Sequence, residues 1–354
     1  MAREAIVIAG AGVVSPIGLS LAETAASARG RLARLREIEW RDRRFEPFIV
    51  GAVPDDGLPE LHAELTKLHL PYREARMLRI AHVALEEACA ALPVEAAKIS
   101  LLLGLPEHHT RQPIDAAAFL QRLIVQTGAP IDIQRSVAVA KGRAAGLMAW
   151  KQACARLERG DDEFVLVGGV DSLVDLFVLD ALDLQQRIRS SMNSDGFTPA
   201  EGAAFLVLCT AKTAAQHGLP VYAQILGSGF GHEHGHLYSE QAYLGEGLAN
   251  TVSALLAESP PPAPIGCVYS SFNGERYWGR EYSVARMRSA QWFAPDQQME
   301  HPAECCGDLG AAHGPMLAAL AAHGVREGYR RAPCLVYASS DYGDRAVALL
   351  GRAQ

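Results

Sequence analysis

The stretch QRSVAVAKGRAAGLMAWKQACARLERGDDEFVLVGGVDS, residues 134–172, decides how the rest of this 354-residue chain is read. Val137 to Ala140 form a short apolar run that ends in Lys141-Gly142-Arg143. Leu147, Trp150, Cys154 and Leu157 then recur at three- and four-residue spacings, the stripe of a half-buried helix. Lys151, Arg156 and Arg159 gather toward its end, where cations suit the helix dipole, and Gly160 can close it in the left-handed conformation. Phe164 to Val167 run apolar into Gly168-Gly169, as a strand covered on both faces does. Strand, tight elbow, helix and buried strand together lift one residue to a helix N-terminus. There the free N–H groups and the dipole lower the pKa of a thiol.

This stretch resembles the nucleophile elbow of the β-ketoacyl synthases of the thiolase superfamily, whose pattern is Thr-Ala-Cys-Ser-Ser-Gly, a helix, a charged turn and an apolar strand ending in Gly-Gly. Counting back from Gly160 and Gly168-Gly169 without gaps places Lys141-Gly142-Arg143-Ala144-Ala145-Gly146 on that hexapeptide. Arg143 then stands at the nucleophile. The nearest cysteine, Cys154, belongs to the helix stripe.

A chain 49% apolar and 21% charged has ample core for a globular protein. A formal charge of −7 gives no electrostatic reason to expect nucleic-acid or membrane binding. Seven cysteines with neither a disulfide framework nor paired C-x-x-C spacing read as reduced cytoplasmic thiols. The opening MAREAIVIAGAGVVSPIG reads as no signal peptide, and no later run is apolar enough to span a membrane.

Ala5 to Ala9 read as a strand, and Gly10-Ala11-Gly12-Val13-Val14-Ser15-Pro16-Ile17-Gly18 as a turn into a helix. A dinucleotide fingerprint would need a third glycine where Ser15 stands. The same residues resemble the synthases' opening strand and Gly-x-Gly-x-x-(Ser/Thr)-Pro-x-Gly turn. Seven arginines between Arg29 and Arg44 read as a solvated helix face and loop, with docking of an acidic acyl carrier protein as the alternative. Trp40 to Arg43 and the run Glu46 to Ala52 resemble a small group of thiolase-like proteins encoded beside type VI secretion genes. Leu78, Ala81, Leu85, Ala88 and Leu92 mark a core helix, and Ile99 to Gly104 a buried strand. Glu107-His108-His109-Thr110 read as a polar loop, and Pro113 as the start of a helix to Gln126.

Ser194-Asp195-Gly196-Phe197-Thr198-Pro199-Ala200-Glu201-Gly202-Ala203-Ala204 resembles the family segment Arg-Asp-Gly-Phe-x-x-Gly-Glu-Gly-Ala-Gly, which leads into a central strand, here Phe205 to Leu208. A second half repeats the first. Val221 to Leu226 with Gly227-Ser228-Gly229-Phe230-Gly231 echoes Ile6 to Gly12, followed by a helix at Leu248, Val252 and Leu255. A strand at Ile265 to Ser270, a helix at Leu309 to Ala322, and strands at Leu335 to Ala338 and Ala346 to Leu350 complete it. The repeat implies an α/β protein with a pseudo-twofold core. The resemblance makes this a thiolase-like five-layer α-β-α-β-α core of two pseudo-symmetric halves with mixed sheets, spanning residues 1–212 and 213–354.

A condensing enzyme needs a thiolate, two polar side chains that promote decarboxylation and an oxyanion hole. The family's first histidine, in Ala-His-Gly-Thr, falls on Asn273 of Phe272-Asn273-Gly274-Glu275. The second, in Gly-His-x-x-Gly-Ala-Ala-Gly, falls on Gly307, with Asp308 beside it; His313 reads as a packing residue. The closing Gly-Phe-Gly-Gly-Thr-Asn loop, whose amide completes the oxyanion hole, corresponds to Ser340-Asp341-Tyr342-Gly343-Asp344-Arg345. Arg143 is expected to fill the former pocket and pair with Glu275, Asp308 or Asp341, or else to point to water. His232, His234 and His236 are weak metal candidates with Glu233 or Glu240, and a polar loop is the better account.

With these positions altered together, the resemblance implies a catalytically degenerate ketosynthase without cofactor. It would act as a chain-length-factor-like subunit or as an adaptor for a type VI secretion effector. An acyltransferase using Cys305 or Cys306 as a relocated thiol is the alternative. The strand at Ser136 to Ala140 is expected to pair across a homodimer, or a heterodimer with a related thiolase-fold chain. An effector or an acyl carrier protein is the further partner expected.

Overall fold

Glycines decide where strands and helices touch in this protein, whose computed structural model describes residues 4–93, 98–108 and 113–353. The first strand, β1 (Ile6–Val14), does not stop at Ala9 but runs on through Gly10 and Gly12. A Cβ on Gly10 would lie 2.3 Å from the Ala88 carbonyl oxygen, and one on Gly12 2.0 Å from that of Ala84. Both oxygens belong to the helix Tyr72–Cys89 laid across the strand. The Gly-x-Gly is thus a strand–helix contact and not the turn expected. The second half repeats the device: its first strand continues through Gly227 and Gly231 to His232. A Cβ on Gly231 there would lie 2.2 Å from Thr251 Oγ1 of the helix Glu246–Glu258.

The remaining strands are β2 (Arg36–Arg41), β3 (Pro47–Val50), β4 (Ser100–Leu105), β5 (Val137–Ala140), β6 (Phe164–Ser172) and β7 (Glu201–Thr210). The second half carries β8 (Ala223–His232), β9 (Ile265–Ser270), β10 (Phe293–Glu300), β11 (Cys334–Ser339) and β12 (Asp344–Gly351). Helices are α1 (Leu21–Arg29), α2 (Ala63–Thr66), α3 (Tyr72–Cys89), α4 (Ala116–Thr127), α5 (Ala145–Arg159) and α6 (Leu176–Leu184). They continue with α7 (Ala211–Gln216), α8 (Glu246–Glu258), α9 (Arg276–Arg288), α10 (Ala303–Cys306) and α11 (His313–Arg326). None among the described residues is long and apolar enough to cross a membrane.

Ten strands form one sheet in the order β10-β9-β11-β12-β8-β1-β7-β6-β4-β5. Its halves mirror each other strand for strand. β4 is parallel to β5 and β6, as β9 is to β10 and β11; the pairs β6–β7 and β7–β1, like β11–β12 and β12–β8, are antiparallel. Among the described residues, three residue pairs join the halves within the sheet, Ile6 with Ile225, Val7 with Gln224 and Ile8 with Ala223. The sheet folds over at this seam, and strand alternation sorts the core. Val165 and Val167 of β6, with Ala346 and Ala348 of β12, face inward on α5 and α11. Phe164 and Leu166 face α3 and α4 on one outer side. Val347 and Leu349 face α8 on the other. The order is helix, sheet, helix, sheet, helix.

The central pair of helices fixes the site. Each begins just after a tight turn opened by a glycine of positive φ, Gly142 at 60° before α5 and Gly310 at 52° before α11. Their N-terminal ends touch. A Cβ on Gly146 would lie 2.3 Å from Pro315 Cγ, and one on Gly314 2.6 Å from the Arg143 carbonyl oxygen. The turn at Gly310 also delays the helix expected from Leu309 until His313.

Other boundaries differ for local reasons. The arginine run is no helix face: α1 ends at Arg29, and Arg36–Arg41 is a strand hairpinned to Pro47–Val50. Ile38 and Trp40 alternate there with charged residues, the period of a strand. Helix α4 starts at Ala116 and not Pro113, because Asp115 caps the Ala118 N–H at 3.0 Å. Helix α3 stops at Cys89, short of Leu92. His109 and Thr110 of the expected polar loop lie outside the described residues.

The strand–helix contact predicts that Gly12→Ala lowers the urea midpoint by an amount equivalent to about 1–3 kcal/mol, since the added methyl meets backbone. Gly279→Ala, on α9 with nothing within 4 Å, should leave the midpoint unchanged or raise it slightly. Equal midpoints for the two variants would remove this account of β1.

Candidate functional site

Arg143 sits in the turn before α5, 5% exposed, at the place where the two central helices meet. Its carbonyl oxygen packs on Gly314 of α11. Its side chain turns into the space between the loop that joins α10 to α11 and the loop that follows β11. Its Nε donates to Asp308 Oδ2 at 2.8 Å and Oδ1 at 3.1 Å, and Nη2 to Oδ2 at 2.5 Å. Nη1 donates to Asp341 Oδ1 at 2.6 Å. The rings of Trp278 and Phe197 lie 5.4 and 5.8 Å from the guanidinium carbon. Both carboxylates are buried, at 1% and 3% exposure. Despite burial, Asp308 is held below the usual carboxylate range by Arg143, with help from His313 and Asn273.

Glu275 does not pair with Arg143. Its oxygens go to Arg187, at 2.8 Å from Nε and 2.8 Å from Nη2, and it also accepts from Trp278 Nε1 at 2.9 Å. Arg187 in turn reaches Asp341 Oδ2 at 2.6 Å and Tyr238 Oη at 3.0 Å. Asn273 closes the circuit, donating to Asp308 Oδ2 at 2.8 Å and Glu275 Oε2 at 3.1 Å. Gly307, at a φ of 78°, turns the chain so that Asp308 enters the cluster, and a Cβ there would lie 2.8 Å from the Thr198 carbonyl oxygen. Two guanidinium groups, three carboxylates and one amide therefore bond each other in a ring.

Glu107 completes the site from the end of β4. Its Oε2 accepts from the Asp341 N–H at 3.1 Å and its Oε1 from the Tyr342 N–H at 3.1 Å. Ser340 Oγ accepts from the Ala144 N–H at 2.9 Å and donates to the Lys141 carbonyl at 2.6 Å. The Asp341 and Tyr342 N–H groups of the closing loop and the Ala144 N–H of the elbow turn thus already have acceptors. Burial, then the nearby Asp341 carboxylate, pushes Glu107 up to about 8. Neither Glu107 nor Arg187 stood out in the sequence. Glu107 sits in a polar run, Arg187 in a stretch without period, and their partners are distant along the chain.

The other candidates fall outside this ring. His313, the first residue of α11, is fully buried; its Nδ1 accepts from the Leu309 N–H at 3.3 Å, and burial pushes it down to about 4. His232 closes β8, and its ring lies 5.2 Å from that of His234 and 6.2 Å from that of His236. Glu233, a possible carboxylate ligand beside them, is instead committed to the N–H groups of Gly235 at 3.2 Å and Gly247 at 2.8 Å. Among the described residues no group of three or more His, Cys, Asp or Glu is placed to hold a metal ion. Cys305 and Cys306 are buried, and burial pushes both thiols up, away from the thiolate a nucleophile needs.

Residues 135–214, which contain the elbow, match the family model described as Beta-ketoacyl synthase, N-terminal domain. No curated protein is similar to the chain as a sequence. Solved structures match it along its whole length. A type II PKS acyl-carrier protein in complex with its ketosynthase (AntDE:AntF) includes a chain 16% identical, with a TM-score of 0.79, over 99% of this chain and 100% of that one. The ishigamide ketosynthase/chain length factor is 18% identical, with a TM-score of 0.76, over 100% of each. The ketosynthase from module 6 of the bacillaene synthase of Bacillus subtilis 168 is 16% identical, with a TM-score of 0.77, over 99% of this chain and 72% of that one. The chain thus has the fold of these ketosynthases, and its residues 135–214 match the family model of their N-terminal domain.

The position of Glu107 predicts a pH dependence. Its folded pKa of about 8 lies above its ordinary 4.5, so folding takes up a proton between these values. The contribution to stability is complete below the unfolded pKa and is lost as pH rises through the folded one. Glu107→Gln should flatten the fall in urea midpoint between roughly pH 4.5 and 8. An unchanged slope in the variant would show that the carboxyl does not carry it.

Proposed function

We propose that this protein is a ketosynthase-like subunit that does not condense acyl groups and acts by binding a protein partner. The observation that carries the reading is the Arg143 guanidinium, enclosed between Asp308 and Asp341 at the elbow. By resemblance this is the position of the family's nucleophile, and Asn273 and Gly307 stand at its two histidines. A guanidinium at such a place can neither attack a thioester nor carry an acyl chain. Glu107 supports the same reading. It occupies the Asp341 and Tyr342 amides of the closing loop, which by resemblance supplies the family's oxyanion donor, so a tetrahedral oxyanion finds a carboxyl there instead. The buried, neutral thiols of Cys305 and Cys306 weigh against a relocated nucleophile.

The partner we favour is a related thiolase-fold chain, or a second copy of this one, making the protein a chain-length-factor-like subunit. The similar structures are described as a ketosynthase/chain length factor and as a ketosynthase with its acyl carrier protein, which supports partners of these kinds. Strand β5 ends the sheet, and Val137 and Val139 are 41% and 38% exposed along it. An open apolar edge invites a further strand. The adaptor for a type VI secretion effector has only the Trp40–Ala52 segment behind it.

Intact-mass analysis after incubation with malonyl and acyl thioesters should find no acyl adduct, and malonyl thioester should not be decarboxylated. Arg143→Cys should be equally silent, because it leaves Asp308 without its main partner and supplies no histidine at 273 or 307. Light scattering at micromolar concentration should find a dimer, or a monomer that becomes a heterodimer with a ketosynthase. A stoichiometric acyl-enzyme would overturn the non-condensing reading.

A further inference from the structure

Away from the site, the hairpin of β2 and β3 forms a separate two-stranded sheet, and among the described residues no strand pairs with the other edge of β2. A groove of about 590 Å³ runs beside that strand, lined by five of its six residues, Arg36 to Trp40. Across the groove stand Tyr72, at the start of α3, and Asp55, with Ala52 and Val174 between. The floor is rigid. Arg76 and Glu201, 4% and 1% exposed, pair there at 2.7 Å, and Glu201 also accepts the Val53 N–H at 2.9 Å. Trp40 meets Tyr72 edge to face with centroids 6.4 Å apart, an aromatic wall at one end.

Side chains alternate along β2, which sorts the chemistry onto two faces. Ile38 and Trp40 face one way and pack partly on the apolar cluster under the hairpin. Glu37 and Glu39 face the other way and are exposed. Three arginines nearby are engaged: Arg41 donates to the Phe45 carbonyl at 2.8 Å, and Arg76 and Arg79 both hold Asp55, at 2.6 and 3.1 Å; Arg36, which also lines the groove, alternates onto the face of Ile38 and Trp40. Glu37 and Glu39 have no ion-pair partner among the described residues. An added strand must place like-facing side chains beside their neighbours on β2. Its members beside Glu37 and Glu39 should be basic, and its members beside Ile38 and Trp40 apolar or aromatic.

We infer that the free edge of β2 receives an extended segment of a partner protein, alternating basic with apolar residues, as the third strand of this sheet. Five residues at about 3.3 Å each give it a footprint of roughly 17 Å. Main-chain hydrogen bonds supply affinity in this mode and alternate side chains supply specificity. The inference deepens the partner-binding reading by naming a surface and a chemistry. Its test needs no acyl substrate, so it can fail while the absence of condensation stands.

The probe is a fluorescein-labelled peptide, Lys-Val-Arg-Phe-Lys-Val-Arg, titrated against the full chain by anisotropy. Saturable binding is expected, weakened at least about tenfold, or 1.4 kcal/mol, by the protein changes Glu37→Lys and Glu39→Lys together. N-methylation of alternate peptide nitrogens keeps charge but removes strand donors, and should weaken binding as much. Circular dichroism checks that the variant is folded. Absence of saturable binding, or equal binding of the N-methylated peptide, would overturn the inference. Conversion of a dimer to a monomer by the two lysine substitutions would give the edge to a second copy and overturn it too.

Discussion

A guanidinium inside a protein at the N-terminus of a helix is doubly out of place, because it has lost water and it meets the positive end of the helix dipole. The dipole alone is unfavourable by about 0.3–1 kcal/mol for an exposed cation, and burial without a partner adds several times that. Arg143 can occupy the turn before α5 only because Asp308 and Asp341 arrive there from the two loops of the other half. Much of the local structure follows from that demand. Gly307 has positive φ so that Asp308 can enter, Asn273 spends its amide on Asp308 and Glu275, and Arg187 balances the remaining charge of Asp341. Two guanidinium groups stand against three carboxylates in the ring, and beside it burial, then the Asp341 carboxylate, pushes Glu107 up to about 8.

The fold supplies the meeting place. In each half a strand leads to a glycine turn and an inward helix, and the twofold relation brings the two turns together at Gly146, Pro315 and Gly314. A ketosynthase-like fold therefore concentrates side chains at this point whether or not they do chemistry. Here the concentrated groups satisfy one another. A buried ion-pair ring of this kind adds little net stability over an apolar filling, but it penalises any change that removes one member.

How much of this was legible in the sequence differs from element to element. The elbow, the Gly-Gly strand and the first central helix carry long apolar periods and lie where those periods put them, whereas the second central helix starts four residues later than its period suggests, after the turn at Gly310. Gly10 and Gly12 were misread because a glycine that ends a strand and a glycine that admits a helix onto one look the same in sequence. The strand β2 was hidden by its charge, although its period of two was present. The ring was half visible: Asp308 and Asp341 flank motif positions and so could be named, whereas Arg187 and Glu107 are brought in by tertiary structure alone. The pairing of Glu275 with Arg187 depends on a neighbour that no local pattern announces.

The most direct test of this account is a double-mutant cycle on Arg143→Met and Asp308→Leu, read as urea-unfolding free energies of the four proteins. If Arg143 is held by its carboxylates, each single change should destabilise by about 3–5 kcal/mol, because each leaves an uncompensated buried charge. The double variant should then be more stable than the sum of the single losses predicts, by well over about 0.5 kcal/mol. Losses that simply add would show that Arg143 and Asp308 do not depend on each other, and would contradict the reading of the elbow as a closed ionic ring.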